Sequence, residues 1–287
     1  MEIAVISGKG GTGKSCISAA FATLSEKIVL ADCDVDAANL HIMFNPEKEE
    51  EQIYIAGQEA IVDYSLCDNC KKCIDYCRFD AISYLNDKIV ISPVLCEGCE
   101  LCMRVCPTRA IDMKQNDKSR MHSGKFRNGI MVYGRLAPGE ENSGKLVNMV
   151  REKAKLLSKS HNLKTIIIDG PPGIGCPVIS TITGVDKVVI VTEPSISGIN
   201  DLKRTIELTL KFNPKIYVII NKSNLNNDIS NHIEAYCKDI KVEVIEKLPF
   251  CSSIVEAMTN CKSIMEWEPK SKIANKINMA FKKITNN

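Results

Sequence analysis

Gly8-Lys9-Gly10-Gly11-Thr12-Gly13-Lys14-Ser15 fits G-x-x-x-x-G-K-[ST], the pattern of a phosphate-binding loop. Its flanks are those the pattern needs. Ile3-Ala4-Val5-Ile6 ahead of it is a short apolar run that reads as a buried parallel strand. Residues 16–24 behind it are small and apolar, free of Gly and Pro, and read as a helix. The glycines therefore sit at a strand-to-helix turn. Lacking Cβ atoms, they let backbone N–H groups close around phosphate oxygens, and the helix N-terminus adds positive partial charge. Lys14 is placed to bind the β- and γ-phosphates and Ser15 to ligate Mg²⁺. A chance glycine turn would not bring strand, turn and helix together.

Lys9 is not demanded by the pattern. Lys9-Gly10-Gly11-Thr12-Gly13-Lys14-Ser15 resembles the deviant loop of the MinD/ParA-type ATPases, a family that includes the nitrogenase iron protein and the Mrp-type cluster carriers. The resemblance implies ATP and Mg²⁺ as ligands, with Gly10, Gly11, Thr12, Gly13, Lys14, Ser15 and Cys16 around the nucleotide. It also implies an ATP-dependent homodimer closed face to face over two nucleotides. There Lys9 reaches the partner's nucleotide and counts as catalytic beside Lys14. Taken alone, Lys9 reads equally well as a solvated lysine.

The totals bound the rest. At 287 residues the chain has room for about two domains. A net charge of +2 gives no strong field toward nucleic acid or anionic lipid, so neither is expected as a partner. No apolar run approaches the roughly 18 residues of a membrane span, and Met1-Glu2 leads directly into the first strand. A cytoplasmic location is expected. Fourteen cysteines are then metal ligands or reactive thiols rather than disulfides.

Residues 28–31 read as a second buried strand, ending in Asp32-Cys33-Asp34-Val35-Asp36. Carboxylates at a strand's C-terminal end beside a phosphate loop suit Mg²⁺ and water positioning, although an acidic turn capping the next helix has the same composition. The stretch resembles the family's first switch. By that resemblance Asp34 orients the attacking water near Mg²⁺, Asp32 stands behind it, and Asn39 matches an asparagine near the dimer contact. Residues 46–52 read as an acidic linker and residues 53–55 as a short edge strand.

Composition then changes abruptly. Cys67, Cys70, Cys73 and Cys77 are spaced C-x₂-C-x₂-C-x₃-C, and Cys96, Cys99, Cys102 and Cys106 repeat the spacing with Pro107 following. This is the bacterial two-cluster ferredoxin pattern, in which the fourth cysteine of each run ligates the other [4Fe–4S] cluster. The assignment is Cys67, Cys70, Cys73 and Cys106 to one cluster, and Cys77, Cys96, Cys99 and Cys102 to the second. Helix-then-strand remnants at residues 79–82 and 108–111 complete a duplication of 29 residues (96 − 67). Arg78 stands where the first repeat's proline is expected. Paired Cys₄ zinc sites are the alternative, but those set two CxxC pairs apart.

Residues 123–136 read as a hairpin returning to the main sheet. Residues 139–145 nearly repeat the loop pattern, but Leu146 replaces the magnesium ligand, so a helix start with an Asn or Ser cap is expected. An amphipathic helix over residues 147–160 follows. Residues 165–169 read as a central strand ending in Asp169, then Gly170-Pro171-Pro172-Gly173-Ile174-Gly175. This resembles the second switch, where Asp169 reaches Mg²⁺ through water. Cys176 lies at the offset of a cysteine that helps hold a cluster across the dimer axis in the nitrogenase iron protein. It is either a guest-metal ligand or a packed thiol. Residues 188–191 and 216–220 read as strands, the latter ending in Asn221-Lys222, an adenine-contact position by resemblance. Pro249 and Phe250 resemble the loop on the other side of the base. Helices are expected at residues 197–211, 231–238 and 271–284, the last covering the sheet with Ile273, Ile277, Ala280 and Ile284.

The predicted fold is α/β: a doubly wound, mostly parallel P-loop NTPase sheet over residues 1–57 and 117–287, with a small α+β ferredoxin-like domain inserted at 58–116. Three functions follow: ATP-gated electron transfer from two [4Fe–4S] clusters to a redox or cofactor-maturation partner, a carrier or assembly factor for metal–sulfur cofactors, and a positioning ATPase with structural or sensing clusters. Eight thiolates fully ligate two cubanes, which suits relay better than handing a cluster away. Electron relay is therefore ranked first.

Overall fold

Strands with a continuous apolar run through their middle have no solvent face there, so they belong in the middle of a sheet covered on both sides. That is where β1 (Glu2–Ser7), β2 (Ile28–Asp32), β10 (Thr165–Pro172), β11 (Lys187–Thr192) and β12 (Lys215–Ile220) lie in the computed structural model. The structure describes residues 1–55, 57–138, 140 and 143–286, with the backbone alone at Lys48. Among the described residues the sheet has nine strands in the order β13-β12-β11-β1-β10-β2-β9-β8-β3, where β3 is Glu47–Tyr54, β8 Ser119–Phe126, β9 Gly129–Arg135 and β13 Glu243–Lys247. From β13 to β9 all neighbours run parallel.

The strand order reverses around β1, whose neighbours are β10 and β11. In such sheets ligands bind beyond the strand C-termini at the reversal point, which puts the phosphate loop there. Helix α1 (Lys14–Leu24) buries Ile17, Ala20 and Phe21, and α11 (Lys272–Asn286) buries Ile273, Ile277, Ala280, Phe281 and Ile284 in the same core. The last helix thus covers the sheet as expected. Helices α5 (Ser143–Ser160), α6 (Cys176–Ile182), α7 (Ile196–Leu210) and α8 (Asn227–Asp239) fill the crossovers. Helices α2 (Leu40–Phe44), α9 (Ser252–Thr259) and α10 (Ile264–Trp267) are shorter.

Three expectations change. The acidic stretch at 46–52 is not a linker, because β3 begins at Glu47 and pairs with β8. Close pairing is allowed by Gly124 of β8: a Cβ there would stand 1.6 Å from the Glu47 carbonyl oxygen. Glu49 and Glu50 are neutralised in part by Lys125 and Lys153, at 3.1 and 2.5 Å. Second, Ser143 is the first residue of α5 rather than its cap, and Asn142 lies outside the described residues. Third, the chain separates into two units at other bounds than those expected. One comprises residues 1–51, 121–134 and 143–287, the other residues 52–120 and 135–142.

The second unit carries two antiparallel pairs. β4 (Gln58–Val62) pairs with β7 (Ile111–Gln115), and β5 (Ile82–Leu85) with β6 (Lys88–Ile91). Helices α3 (Lys72–Tyr76) and α4 (Leu101–Val105) precede the fourth cysteine of each run, so Cys77 and Cys106 are C-caps rather than helical residues. Left-handed backbone recurs 29 residues apart: Asn69 with Gly98 (φ 57° and 61°), Lys71 with Glu100 (63° and 66°), and Asp80 with Arg109 (52° and 55°). Non-glycine residues rarely adopt this conformation, so its repetition shows the duplication in the backbone itself. The unit's core is small. Ala60, Cys73, Ala81, Ile82, Ile89 and Ile111 are buried, with Cys67, Cys77, Cys96, Cys102 and Cys106 packed against them.

Candidate nucleotide site and cysteine unit

The phosphate loop leaves β1 and enters α1 at Gly13, whose φ is 89°. A Cβ there would stand 2.3 Å from Asn221 Nδ2, so the position requires glycine twice over. Asn221 donates from Nδ2 to the Thr12 carbonyl at 2.8 Å and accepts the Lys222 N–H at 2.9 Å. Lys222 Nζ in turn donates to the Gly11 carbonyl at 2.9 Å. Two side chains just after β12 thus hold the Thr12 and Gly11 carbonyls of the loop.

Lys14 is 6% exposed, its ammonium 3.1 Å from Asp169 Oδ1 and 3.4 Å from Asp34 Oδ2. Ser15 Oγ donates to Asp169 Oδ2 at 2.7 Å, and Ser18 Oγ to Asp169 Oδ1 at 2.6 Å. Burial pulls the Lys14 pKa down, but Asp169, Asp34 and Asp32 outweigh it and the net shift is upward. Asp32 accepts the Leu40 N–H at 3.2 Å; its pKa is pushed up to about 8 by burial, with Asp169 adding to the rise. Burial also raises the Asp34 pKa, against the pull of Lys14. Asp34 and Asp169 beside one ammonium present the oxygen ligands that a divalent cation takes.

A cavity of about 590 Å³ opens over this centre, a size usual for small-molecule sites. It is lined by residues 10–16 of the loop and by Asp34, Asp36, Ala37, Asn39, Pro171, Pro172, Pro177 and Met258. The buried Thr12 hydroxyl has no hydrogen-bond partner among the described residues. An orphaned hydroxyl, a glycine-rich loop along the cavity wall and the cation Lys14 fit a polyphosphate; Ser15 with Asp34 and Asp169 fits Mg²⁺. Pro249 and Phe250 do not line this cavity, and Phe250 is 51% exposed. Cys16 does line it, its sulfur 2.9 Å from Met258 Sδ.

Lys9 turns away from the cavity. Its ammonium lies 2.7 Å from Glu193 Oε1 and donates to Ser195 Oγ and Ser197 Oγ, each at 3.1 Å. Glu193 Oε2 accepts from Lys222 at 2.9 Å. Partial burial works to raise the Glu193 pKa, and the two lysines outweigh it and hold the pKa below the ordinary value. Sequence reading missed Glu193, Ser18 and Met258. Ser18 could have been found, since it lies one turn beyond Lys14 on the same face of α1. Cys176 is exposed at the first position of α6 beside Gly144, and no second thiol accompanies it among the described contacts.

In the second unit, a small cavity is lined by Cys77, Cys96, Cys99 and Cys102, together with Ala60, Phe79, Ala81, Ile82 and Met113. Cys77 belongs to the first cysteine run and the other three to the second. The Ala60 N–H donates to Cys96 Sγ at 3.4 Å and the Ala110 N–H to Cys106 Sγ at 3.2 Å. Burial works against the Cys106 thiolate, but hydrogen bonds from Thr108 and nearby backbone N–H groups leave its pKa below the ordinary thiol value. Burial pushes the Cys102 thiol up to about 11. Among the described residues no three His, Cys, Asp or Glu converge as they would around a single metal ion.

Residues 3–264 match the CobQ/CobB/MinD/ParA nucleotide binding domain family. The chain belongs to this family. An uncharacterized protein of Methanocaldococcus jannaschii is 34% identical over 99% of this chain and 96% of its own length. The septum site-determining protein MinD of Bacillus subtilis is 26% identical over 72% of this chain and 58% of its own. Among solved structures, the septum site-determining protein MinD complexed with Mg-ADP from Pyrococcus horikoshii aligns with a TM-score of 0.59 at 18% identity, covering 99% of this chain and 96% of that one. That likeness is one of fold. The cysteine-rich second unit is a part of this MinD/ParA-family chain that its family membership does not explain.

Proposed function

We propose that this protein is a Mg-ATP-hydrolysing switch whose two copies close over two nucleotides, with a role of the positioning or partition kind. The observation that carries the reading is the buried Lys14 between Asp34 and Asp169 at the floor of an open cavity. Lys14 and the loop N–H groups bind the β- and γ-phosphates. Ser15, Asp34 and Asp169 would hold Mg²⁺, which would supply positive charge to the phosphates. Asp34 orients the attacking water, and Lys9 acts across the dimer on the partner's nucleotide. The named relatives, septum site-determining proteins, support positioning better than the electron relay ranked first on sequence.

Mutants separate these roles. Lys14→Ala should weaken ATP binding by about 100-fold, the loss of two charge-assisted contacts. Asp34→Ala should keep binding and lose hydrolysis by about 100-fold or more, accumulating an ATP-bound dimer. Lys9→Ala should keep binding and lose about 1,000-fold in hydrolysis, as when a transferred-charge finger is removed. Isothermal titration, light scattering and phosphate release check all three. Wild-type turnover in Lys14→Ala would remove the site assignment.

A second reading concerns the cysteine unit and rests on the cavity shared by Cys77, Cys96, Cys99 and Cys102. These four, and Cys67, Cys70, Cys73 with Cys106, suit two [4Fe–4S] clusters. Thiolates are the ligands such clusters take, and the N–H···S bonds on Cys96 and Cys106 are the kind that set their potentials. Bound clusters supply one-electron redox chemistry or structural support for a core built largely of thiols. Anaerobically purified protein should contain about eight iron and eight sulfide per chain, whereas stoichiometric zinc would overturn the cluster reading.

A further inference from the structure

Glu193 has no part in the reading above, yet its carboxylate is the hub of the loop's outer face. One oxygen holds Lys9 at 2.7 Å and the other holds Lys222 at 2.9 Å. All three side chains are between 20% and 28% exposed, so water and a second protein surface can reach them. We propose that Glu193 is a positioning residue for hydrolysis: it latches Lys9 in cis, and the dimer becomes competent only when Lys9 leaves it for the partner's nucleotide.

The geometry makes that departure cheap. A carboxylate stripped of its only cation would be left uncompensated, which is costly. Here Lys222 stays behind on Oε2, itself anchored to the Gly11 carbonyl at 2.9 Å. The other partners of Lys9 are satisfied without it, because Ser195 Oγ and Ser197 Oγ lie 3.3 Å apart and hydrogen-bond to each other. The Gly198 N–H also donates to Ser195 Oγ at 3.0 Å. Lys9 is thus the replaceable member of the set. A polyphosphate offers it more negative charge than half of a shared carboxylate. Holding Lys9 in the monomer keeps a mobile cation from its own nucleotide and makes hydrolysis depend on meeting a partner.

This proposal rests on the reading that Lys9 acts across a dimer, and the test separates the two. The readouts are the protein concentration giving half-maximal ATP hydrolysis, and ADP affinity of the monomer. Glu193→Gln weakens the hold on Lys9. A partly exposed ion pair is worth up to about fivefold, so two latches per dimer should lower the half-maximal concentration by up to about 25-fold. ADP affinity should stay within about twofold, a combination that simple loss of structure would not give. Glu193→Asp should restore the wild-type concentration dependence. The pair Ser195→Ala and Ser197→Ala, with the carboxylate intact, should shift it the same way by less. In the Lys9→Ala background Glu193→Gln should no longer change dimerisation measured by light scattering. If Lys9→Ala hydrolyses ATP normally, the trans reading itself falls. If Lys9→Ala is inactive but Glu193→Gln leaves the concentration dependence unchanged or raises it, the latch alone is overturned.

Discussion

At the residue scale, the thiols sort by what surrounds them rather than by where they fall in the chain. Cys237 of α8 is fully buried, and burial, with Glu234 adding to it, pushes its thiol up to about 11. At pH 8 that leaves about one thiolate in a thousand. Burial also pushes the Cys33 thiol up. Cys176 and Cys261 are exposed. Iodoacetamide at pH 8, followed by peptide mapping, should therefore label Cys176 and Cys261 in minutes and spare Cys237 until the chain is unfolded. Rapid labelling of Cys237 in the native protein would contradict the packing of α8. Lys14, Ser15 and Asp169 stood out as candidates because chemistry forces their residue types, and the structure sets the three side chains together. Residues were not legible where a side chain braces a backbone. Nothing in the sequence says that Asn221 holds the Thr12 carbonyl, because that contact joins positions 209 residues apart.

At the element scale, the central parallel strands β1, β2, β10, β11 and β12 were legible because burial on both faces leaves an apolar run. β3 was not. Its glutamates read as a solvated linker, and only the partner strand, with Gly124 for close approach, makes it a strand. β13 was also missed, since Glu243-Val244-Ile245-Glu246-Lys247 is short and charged at both ends. The last helix shows the opposite case. Its apolar stripe at helical spacing predicted a buried face, and Ile277 is 1% exposed in the main core. Ile277→Ala should cost about 2–5 kcal/mol of stability, measured by denaturant unfolding. A loss well under 1 kcal/mol would mean that α11 is not packed as described. The same burial occupies the face that an interfacial helix would need, which fits a covering role for α11.

At the scale of the whole molecule, the two candidate ligand sites draw on separate parts of the chain. Every residue lining the nucleotide cavity lies in the unit built from residues 1–51, 121–134 and 143–287. Every residue lining the cysteine cavity lies in the other unit. Cys77 of the first run lines a cavity with Cys96, Cys99 and Cys102 of the second, and the crossed cluster assignment is the proposal this placement supports. The unit's boundaries were not legible in the sequence, because the strands that carry the chain in and out are polar. Cys77→Ser tests both points at once. It removes the one lining cysteine that comes from the first run while leaving Cys96, Cys99 and Cys102 untouched. Iron should fall from about eight to about four per chain if Cys77 completes the second cluster. ADP affinity of the monomer should not change, because no lining residue is shared. Full iron retention in Cys77→Ser would break the crossed assignment, and a large change in ADP affinity would show that the two sites are coupled already in the monomer.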